Sequence, residues 1–126
     1  MTAAAQKQNG YLNATRTVGM PRDVEYQLFA RVTGRLNQGM REGAEFRELV
    51  AALQENLTVW RTLALEVMDE NNELPAQLRA QIFYLFEFTR AHTQKVMHKE
   101  AGADVLVEIN TSMMRGLRQR AMAEPV

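Results

Sequence analysis

The chain has 126 residues, no cysteine, and 15 basic and 15 acidic side chains that give a formal net charge of zero. This length is enough for one domain with its own hydrophobic core. The lack of cysteine excludes disulfides, thiolate metal sites and thiol catalysis, and the balanced charge provides no overall field for nucleic acid or anionic membranes.

The amino end is polar. Residues 1–19 contain no hydrophobic run of signal-peptide length, and no stretch approaches the roughly 18 apolar residues of a membrane span. We therefore expect a soluble, cytoplasmic protein with no membrane partner. We interpret residues 1–19 as a mobile arm, residues 20–120 as a helical domain and residues 121–126 as a frayed tail.

The first helix is expected to begin at Pro21, because proline is favoured in the first turn, where its missing N–H would have no intrahelical partner. Its apolar positions recur at spacings of three and four, as a buried helix face requires: Val24, Leu28, Val32 and Leu36. The helix should end near Gly39 and Gly43, which tolerate the left-handed backbone that closes helices.

The second helix is predicted over residues 44–69 and has the most regular pattern. On a helical projection its apolar residues fall within a sector of about 100°; they are Phe46, Leu49, Val50, Leu53, Leu57, Trp60, Ala64, Val67 and Met68. Asn56 lies at the margin of this stripe. Asn71 and Asn72 then favour a turn, because asparagine tolerates the conformations that close a helix.

The third helix should run from Pro75 to about Lys99, with Leu78, Ile82, Leu85, Phe86, Thr89 and Val96 on its apolar side. Phe83, Tyr84 and Phe88 point away from that side. Such aromatic residues form a partner-binding surface if they are exposed and contiguous. The alternative is that this helix is central in the fold and is covered on all sides by its neighbours.

A fourth helix follows Gly102, with Asp104 as a candidate cap. Its apolar face carries Leu106, Ile109, Met113 and Leu117, and Asn110 lies at the margin of that face. No strand pattern of alternating polarity is found. The sequence therefore predicts an all-α fold, a compact single-domain antiparallel bundle of about four main helices with a mobile amino-terminal arm.

The pattern assigns roles to particular side chains. The predicted core contains Trp60, Leu53, Leu57, Leu78, Ile82, Leu85, Leu106, Ile109 and Leu117. Asn56 and Asn110 are expected to be buried polar pins that each find a hydrogen-bond partner, either a loop carbonyl or one another. The candidates for contact with a partner are Tyr11, Tyr26, Phe83, Tyr84 and Phe88.

The residue types for common chemistry do not converge in the sequence. His92 and His98 are six residues apart and so lie on nearly opposite sides of a helix, which argues against a metal site. Asp69, Glu70 and Glu73 are read as a solvated helix end. We expect no metal, no cofactor and no catalytic residue. An unrecognised helical active site stays open as an alternative, because a missing motif is weak evidence in so short a chain.

Several segments, taken together and in order, resemble one known family. They are GMPRDVEYQLFARVTGRL, ALQENLTVWRTLALEV, NNELPAQLRAQIFYL, HTQKVM and LVEINTSMMRGL. The chain is similar over about residues 11–118 to the flagellar biosynthesis regulator FlaF family. The family pattern falls on Tyr11, Pro21, Glu25, Asn56, Trp60, Leu63, Asn72, Leu74, Pro75, Leu78, Arg79, His92, Asn110, Gly116 and Leu117. The chain departs from it before Tyr11 and in its carboxyl tail.

The resemblance implies a small helical, non-enzymatic protein that is needed for flagellin production and export. Flagellin is the implied partner. The second regulator of this system, FlbT, which acts on flagellin messenger RNA, is a possible further partner. The alternative is a post-transcriptional regulator that contacts flagellin mRNA or FlbT; the neutral charge argues against direct nucleic-acid binding. The oligomeric state is not indicated by the sequence.

Overall fold

The structure, a computed structural model, describes the backbone of residues 22–123 and the side chains of residues 24–116. These residues form four helices, which are α1 (Arg22–Gly39), α2 (Phe46–Met68), α3 (Ala76–Met97) and α4 (Asp104–Ala123). The predicted all-α class is confirmed, and over the described range no strand is present. The arm at residues 1–19, Pro21, and the side chain of Leu117 lie outside the described residues.

The core consists of two groups of buried apolar side chains. We call the first the leucine cluster, formed by Leu36, Ala52, Leu53, Val96, Ala103 and Leu106. We call the second the tryptophan cluster, formed by Phe29, Trp60, Leu63, Val67 and Ile82. Half-buried residues pack around both, including Leu78, Leu85 and Ile109 beside the tryptophan cluster.

The two clusters establish the direction of the helices. The leucine cluster joins Leu36, near the end of α1, to Leu53 and Leu106, near the beginnings of α2 and α4. The tryptophan cluster joins the first half of α1 to the second half of α2. Neighbouring helices therefore run antiparallel, as short connections favour. Their closest backbone contacts are α1 with α2, α1 with α4, and α2 with α3.

A layer of polar side chains separates the two clusters. Each helix contributes one or two buried polar residues that lie between its positions in the two clusters, and the five are Thr33, Thr93, Asn56, Thr89 and Asn110. The last three have no exposed surface at all. We call this set the polar layer. A slip of one helix by a turn would place these polar groups against hydrocarbon, so the layer favours a single register.

The hydrogen bonds within the polar layer have a fixed direction. The indole Nε1–H of Trp60 donates to Oδ1 of Asn110 at 2.9 Å, and Nδ2 of Asn110 donates to Oδ1 of Asn56 at 2.7 Å. Because an indole nitrogen can only donate, Trp60 determines the orientation of the Asn110 amide, which in turn determines that of Asn56. The two asparagines, expected from the sequence to pair with something, are paired with one another.

Not every polar atom of the layer has a partner. Oγ1 of Thr33, Nδ2 of Asn56 and Oγ1 of Thr89 are buried without a hydrogen bond. Each such group costs about 1–3 kcal/mol of stability relative to a paired one. The polar layer therefore specifies the register of the helices but lowers the stability of the fold. It also divides the bundle into two halves.

The connection between α1 and α2 brings two backbones unusually close. A Cβ placed on Gly39 would lie only 2.8 Å from Cα of Leu49, so only glycine fits this position without a shift. Four residues later, Gly43 adopts a positive φ of 89°, which glycine accepts without steric cost. The leucine-cluster half is thus closed by direct backbone contact between α1 and α2.

The turn between α2 and α3 is closed by an asparagine side chain. Nδ2 of Asn72 donates to the backbone carbonyl of Glu66 at 3.0 Å, and its Oδ1 accepts the backbone N–H of Leu74 at 3.0 Å. One amide thus satisfies an unpaired carbonyl at the end of α2 and positions the residue before Pro75. This gives the Asn-x-Leu-Pro element of the sequence a structural role.

The predicted apolar stripe of the second helix is wrong at both ends. Phe46 is 38% exposed, with Nζ of Lys99 lying 4.6 Å from the centre of its ring, and Met68 is 61% exposed. The interior of the stripe, including Leu53, Leu57 and Trp60, is buried.

The predicted cap of the fourth helix is displaced by one residue. Asp104 is the first residue of α4 and lies in its first turn rather than at the cap position. The backbone N–H groups of Leu106 and Val107 donate hydrogen bonds to the carbonyl of Ala103.

Candidate partner-binding surface

The aromatic residues of α3 differ in exposure. Tyr84 is 67% exposed, whereas Phe83 and Phe88 are half-buried. The ring of Phe83 lies 6.1 Å from that of Phe86, which packs against the tryptophan cluster. The alternative in which α3 is covered on all sides is therefore wrong at Tyr84.

Phe88 has a different environment from Tyr84. Its ring stacks on the imidazole of His92, with centres 5.5 Å apart and planes within 11° of parallel. Nε2 of His92 is 2.8 Å from the carbonyl oxygen of Gly102, in the turn before α4. His92 therefore links α3 to that turn, and Phe88 belongs to this contact.

Two exposed apolar residues of α2 were missed by the sequence reasoning as surface candidates. Leu65 is 60% exposed and Met68 is 61% exposed. Leu65 lies opposite Asn56 on the helix, and its position outside the stripe was a signal that could have identified it. Met68 follows the spacing of the apolar stripe, so the sequence wrongly predicted that it is buried.

These residues lie at the same level as the aromatic residues of α3. Nε2 of Gln54 lies 4.0 Å from Sδ of Met97, which establishes how α2 and α3 are aligned. Met68 follows Gln54 by fourteen residues and Phe83 precedes Met97 by fourteen, so antiparallel helices place them at the same level along the bundle. We call Leu65, Met68, Phe83 and Tyr84 the apolar surface.

The turn of α3 after Tyr84 carries the ion pair of Glu87 and Arg90, whereas the exposed positions before Tyr84 are uncharged. They are Ala76, Gln77, Ala80 and Gln81, which precede Tyr84 on the same helix. Small side chains allow another backbone to approach closely, and the amides can hydrogen-bond at the edge of a contact. This combination suits the docking of an amphipathic helix, in which apolar anchors repeat at spacings of three and four.

The remaining two aromatic candidates lie elsewhere. Tyr26 is half-buried on α1, a helix whose closest backbone contacts are with α2 and α4. Tyr11 lies outside the described residues. Leu65, Met68, Phe83 and Tyr84 therefore lie at a similar level of α2 and α3, whereas Tyr26 belongs to α1 and Phe88 to the contact with His92.

A pocket of about 170 Å³ opens between α1 and α2, beside the tryptophan cluster. Its lining is mostly hydrocarbon, but two buried carboxylates, Glu25 and Glu66, also belong to it. The full lining is Glu25, Leu28, Phe29, Thr58, Val59, Thr62, Leu63 and Glu66. No pattern in the sequence indicates this pocket, because it depends on how two helices separate.

The described residues contain no group of three or more His, Cys, Asp or Glu side chains that could hold a metal ion. The acidic residues after α2 have a local role at Asp69, whose Oδ1 accepts the backbone N–H of Asn71 at 2.8 Å. Within residues 22–123, no helix is long and apolar enough to cross a membrane. The arrangement offers surfaces for binding.

The chain matches the model of a known protein family. The profile of the family described as flagellar protein FlaF matches residues 7–117. No curated protein and no solved structure gives a significant match. The profile covers most of the 126-residue chain, including α1, α2, α3 and the first 14 residues of α4. The chain therefore belongs to the flagellar protein FlaF family.

Proposed function

We propose that this protein is a non-enzymatic, cytoplasmic regulator of flagellum biogenesis that binds flagellin and supports its synthesis and secretion as an export factor or chaperone. The apolar surface is the proposed contact. Family membership supports the flagellar role. The exposure of Tyr84, Leu65 and Met68 on a bundle that has its own buried core is the observation that supports binding.

The physical argument concerns the cost of exposed hydrocarbon. Apolar side chains that contribute nothing to the core expose area that water solvates poorly, at about 25 cal/mol per Å². When such residues cluster at one end of a bundle, they favour association with another apolar face. Flagellin-type subunits carry helical ends that pair in the filament, and before assembly those apolar faces need shielding. A helix docked across α2 and α3 would supply it.

The test uses purified protein and its cognate flagellin, with complex formation followed by size exclusion and calorimetry. Leu65→Ser and Tyr84→Ser should each weaken binding by about 1–3 kcal/mol if they are anchors of the contact. Because both side chains are exposed, the free energy of unfolding should change by no more than about 0.5 kcal/mol.

Phe46→Ser is the matched control. Phe46 is also an exposed apolar residue, but it lies at the beginning of α2, beside the leucine-cluster half. Its replacement should leave flagellin binding unchanged. A wild-type protein that forms no complex with folded flagellin would contradict the proposed function. Equal losses for Phe46→Ser and Tyr84→Ser would contradict the proposed surface.

The same surface suits the second regulator, FlbT, as an alternative partner. Repeating the binding measurement with FlbT distinguishes the two partners. If the apolar surface binds flagellin, Tyr84→Ser should leave FlbT binding unchanged. The balanced formal charge favours a protein partner over flagellin mRNA, since RNA binding draws most of its affinity from phosphate neutralisation. A salt-dependent mobility shift of flagellin leader RNA by this protein alone would reverse that preference.

A further inference from the structure

Arg79 is a half-buried arginine in the first turn of α3. Its Nε is buried without a hydrogen-bond partner. Four other arginines of the described residues form ion pairs with glutamates, whereas Arg79 forms none among the described side chains. A buried donor without an acceptor costs stability, and the guanidinium keeps its charge at every pH that the fold meets. The contacts within the described part of the fold therefore do not explain a cation at this position.

Arg79 lies next to the apolar surface. It precedes Phe83 by four residues, so the two side chains are neighbours on one side of α3. The alignment that places Phe83 level with Met68 places Arg79 about 6 Å farther along, toward the turn between α2 and α3. The exposed residues beside it on α3, Ala76 and Ala80, are small. They leave room for the backbone of a partner to approach the guanidinium.

We propose that Arg79 is the polar anchor of the apolar surface and that it binds a carboxylate of the docked partner helix. The inference rests on the proposed function and names the chemistry of the partner. The partner is an amphipathic helix with an aspartate or glutamate three or four residues from the apolar anchor that contacts Phe83. Such a pair is separated by one helical turn, as Phe83 and Arg79 are on α3.

The guanidinium suits this contact. Nε–H and one Nη–H of an arginine can bind the two oxygens of a carboxylate at once, which makes this ion pair both strong and directional. Such a contact gives the unpaired Nε of Arg79 its acceptor. Because the side chain is long and only half-buried, it can turn this edge toward a docked helix. A helix that covers the ion pair also shields it from water and salt.

The charges around Arg79 leave it available to an anion. On the far side of Tyr84, Glu87 is already bound to Arg90. In the turn before α3, Glu70 and Glu73 are exposed to water. The first turn of α3 contains no acidic residue, so the positive end of the helix dipole adds to the attraction for a carboxylate.

Calorimetric titration of flagellin into the full chain tests the proposal. Arg79→Met keeps an aliphatic stem and removes the guanidinium, so it should weaken binding about ten- to a hundredfold. Arg79→Lys keeps the charge but not the two parallel donors, so it should recover part of this loss. Arg41→Met is the matched control and should leave the affinity unchanged. Arg41 is an exposed arginine in the connection after α1, at the leucine-cluster end.

Two further measurements distinguish a binding role from a structural one. Because Nε has no partner in the free protein, Arg79→Met should leave the urea midpoint of unfolding unchanged or raise it. The affinity of the wild type should fall more steeply with salt than that of Arg79→Met, because only the wild type forms the ion pair. A lowered midpoint for Arg79→Met would indicate a structural role and would overturn the proposal.

The carboxylate is identified on the partner. Each aspartate and glutamate in the helical ends of flagellin is replaced by alanine in turn. One replacement should weaken binding to the wild type and leave binding to Arg79→Met unchanged. If Tyr84→Ser weakens the complex but Arg79→Met binds as Arg41→Met does, this inference is overturned and the proposed function stands. If the wild type forms no complex with flagellin, both are overturned.

Discussion

The two halves of the bundle are built differently. In the leucine-cluster half, α1 and α2 touch through their backbones at Gly39 and Leu49, and Leu36, Leu53 and Leu106 are completely buried. In the tryptophan-cluster half, the core residues are also buried, with up to 7% exposure at Leu63, and a pocket separates α1 from α2. The exposed Leu65, Met68 and Tyr84 also lie toward this end.

The comparison indicates a division of roles along the bundle. Close packing without voids contributes most of the stability that a core can provide, whereas a pocket and exposed apolar residues forgo part of it. The tryptophan-cluster half, which lacks part of this stability, is the half that contains the pocket and the proposed contact with a partner. The polar layer lies between the halves.

The largest effect is expected at Trp60, the centre of the tryptophan cluster. Trp60→Ala removes the indole that packs edge-on against Phe29, with ring centres 5.3 Å apart, and it leaves Oδ1 of Asn110 without its donor. The free energy of unfolding should fall by about 3–5 kcal/mol, as measured by urea denaturation. Trp60→Phe keeps most of the volume and should cost less. An unchanged unfolding curve for Trp60→Ala would contradict the structure of this half.

A smaller effect is expected in the polar layer. Asn110→Ala removes two hydrogen bonds and leaves the buried indole N–H without an acceptor, so it should cost about 1–3 kcal/mol. Asn56→Ala removes one hydrogen bond together with an Nδ2 group that has no partner, so it should cost less. Thermal unfolding of both variants provides the ranking. The reverse order would show that the direction of the hydrogen bonds is wrong.

Replacements at two glycines of α1 test the closed half. Gly39→Ala would force a Cβ against the backbone of Leu49 and should destabilise by about 1–3 kcal/mol. Gly34→Ala meets no atom within 4 Å and should stabilise the helix by about 0.5–1 kcal/mol. Both are single-methyl changes in one helix. Denaturation curves that shift in the same direction would argue against the close contact at Gly39.

The sequence predicted the helices well, because apolar spacing reports directly which side of a helix is buried. It placed Trp60 and Leu53 in the core, and it identified Asn56 and Asn110 as polar residues at stripe margins. These inferences need only the geometry of a single helix. The turn around Asn72 and Pro75 could also be predicted from its residue types.

The features that the sequence did not reveal depend on how helices meet. Met68 lies in register with the stripe but at the last residue of α2, where it is exposed. The pocket exists because α1 and α2 are in contact near Gly39 and separate farther along, and no periodicity within one helix contains that information. The pairing of Asn56 with Asn110 joins residues 54 positions apart, and the sequence offered it only as one of two possibilities.

The single tryptophan has a practical consequence. Because Trp60 is fully buried, packs on Phe29 and donates a hydrogen bond inside the molecule, its emission should be blue-shifted and insensitive to soluble quenchers. A ligand that binds to the outer surface of α2 and α3 would leave the Trp60 emission spectrum unchanged. A ligand that separates the helices would shift the emission to longer wavelengths. The intrinsic fluorescence of Trp60 can thus distinguish binding to a closed bundle from binding that opens it.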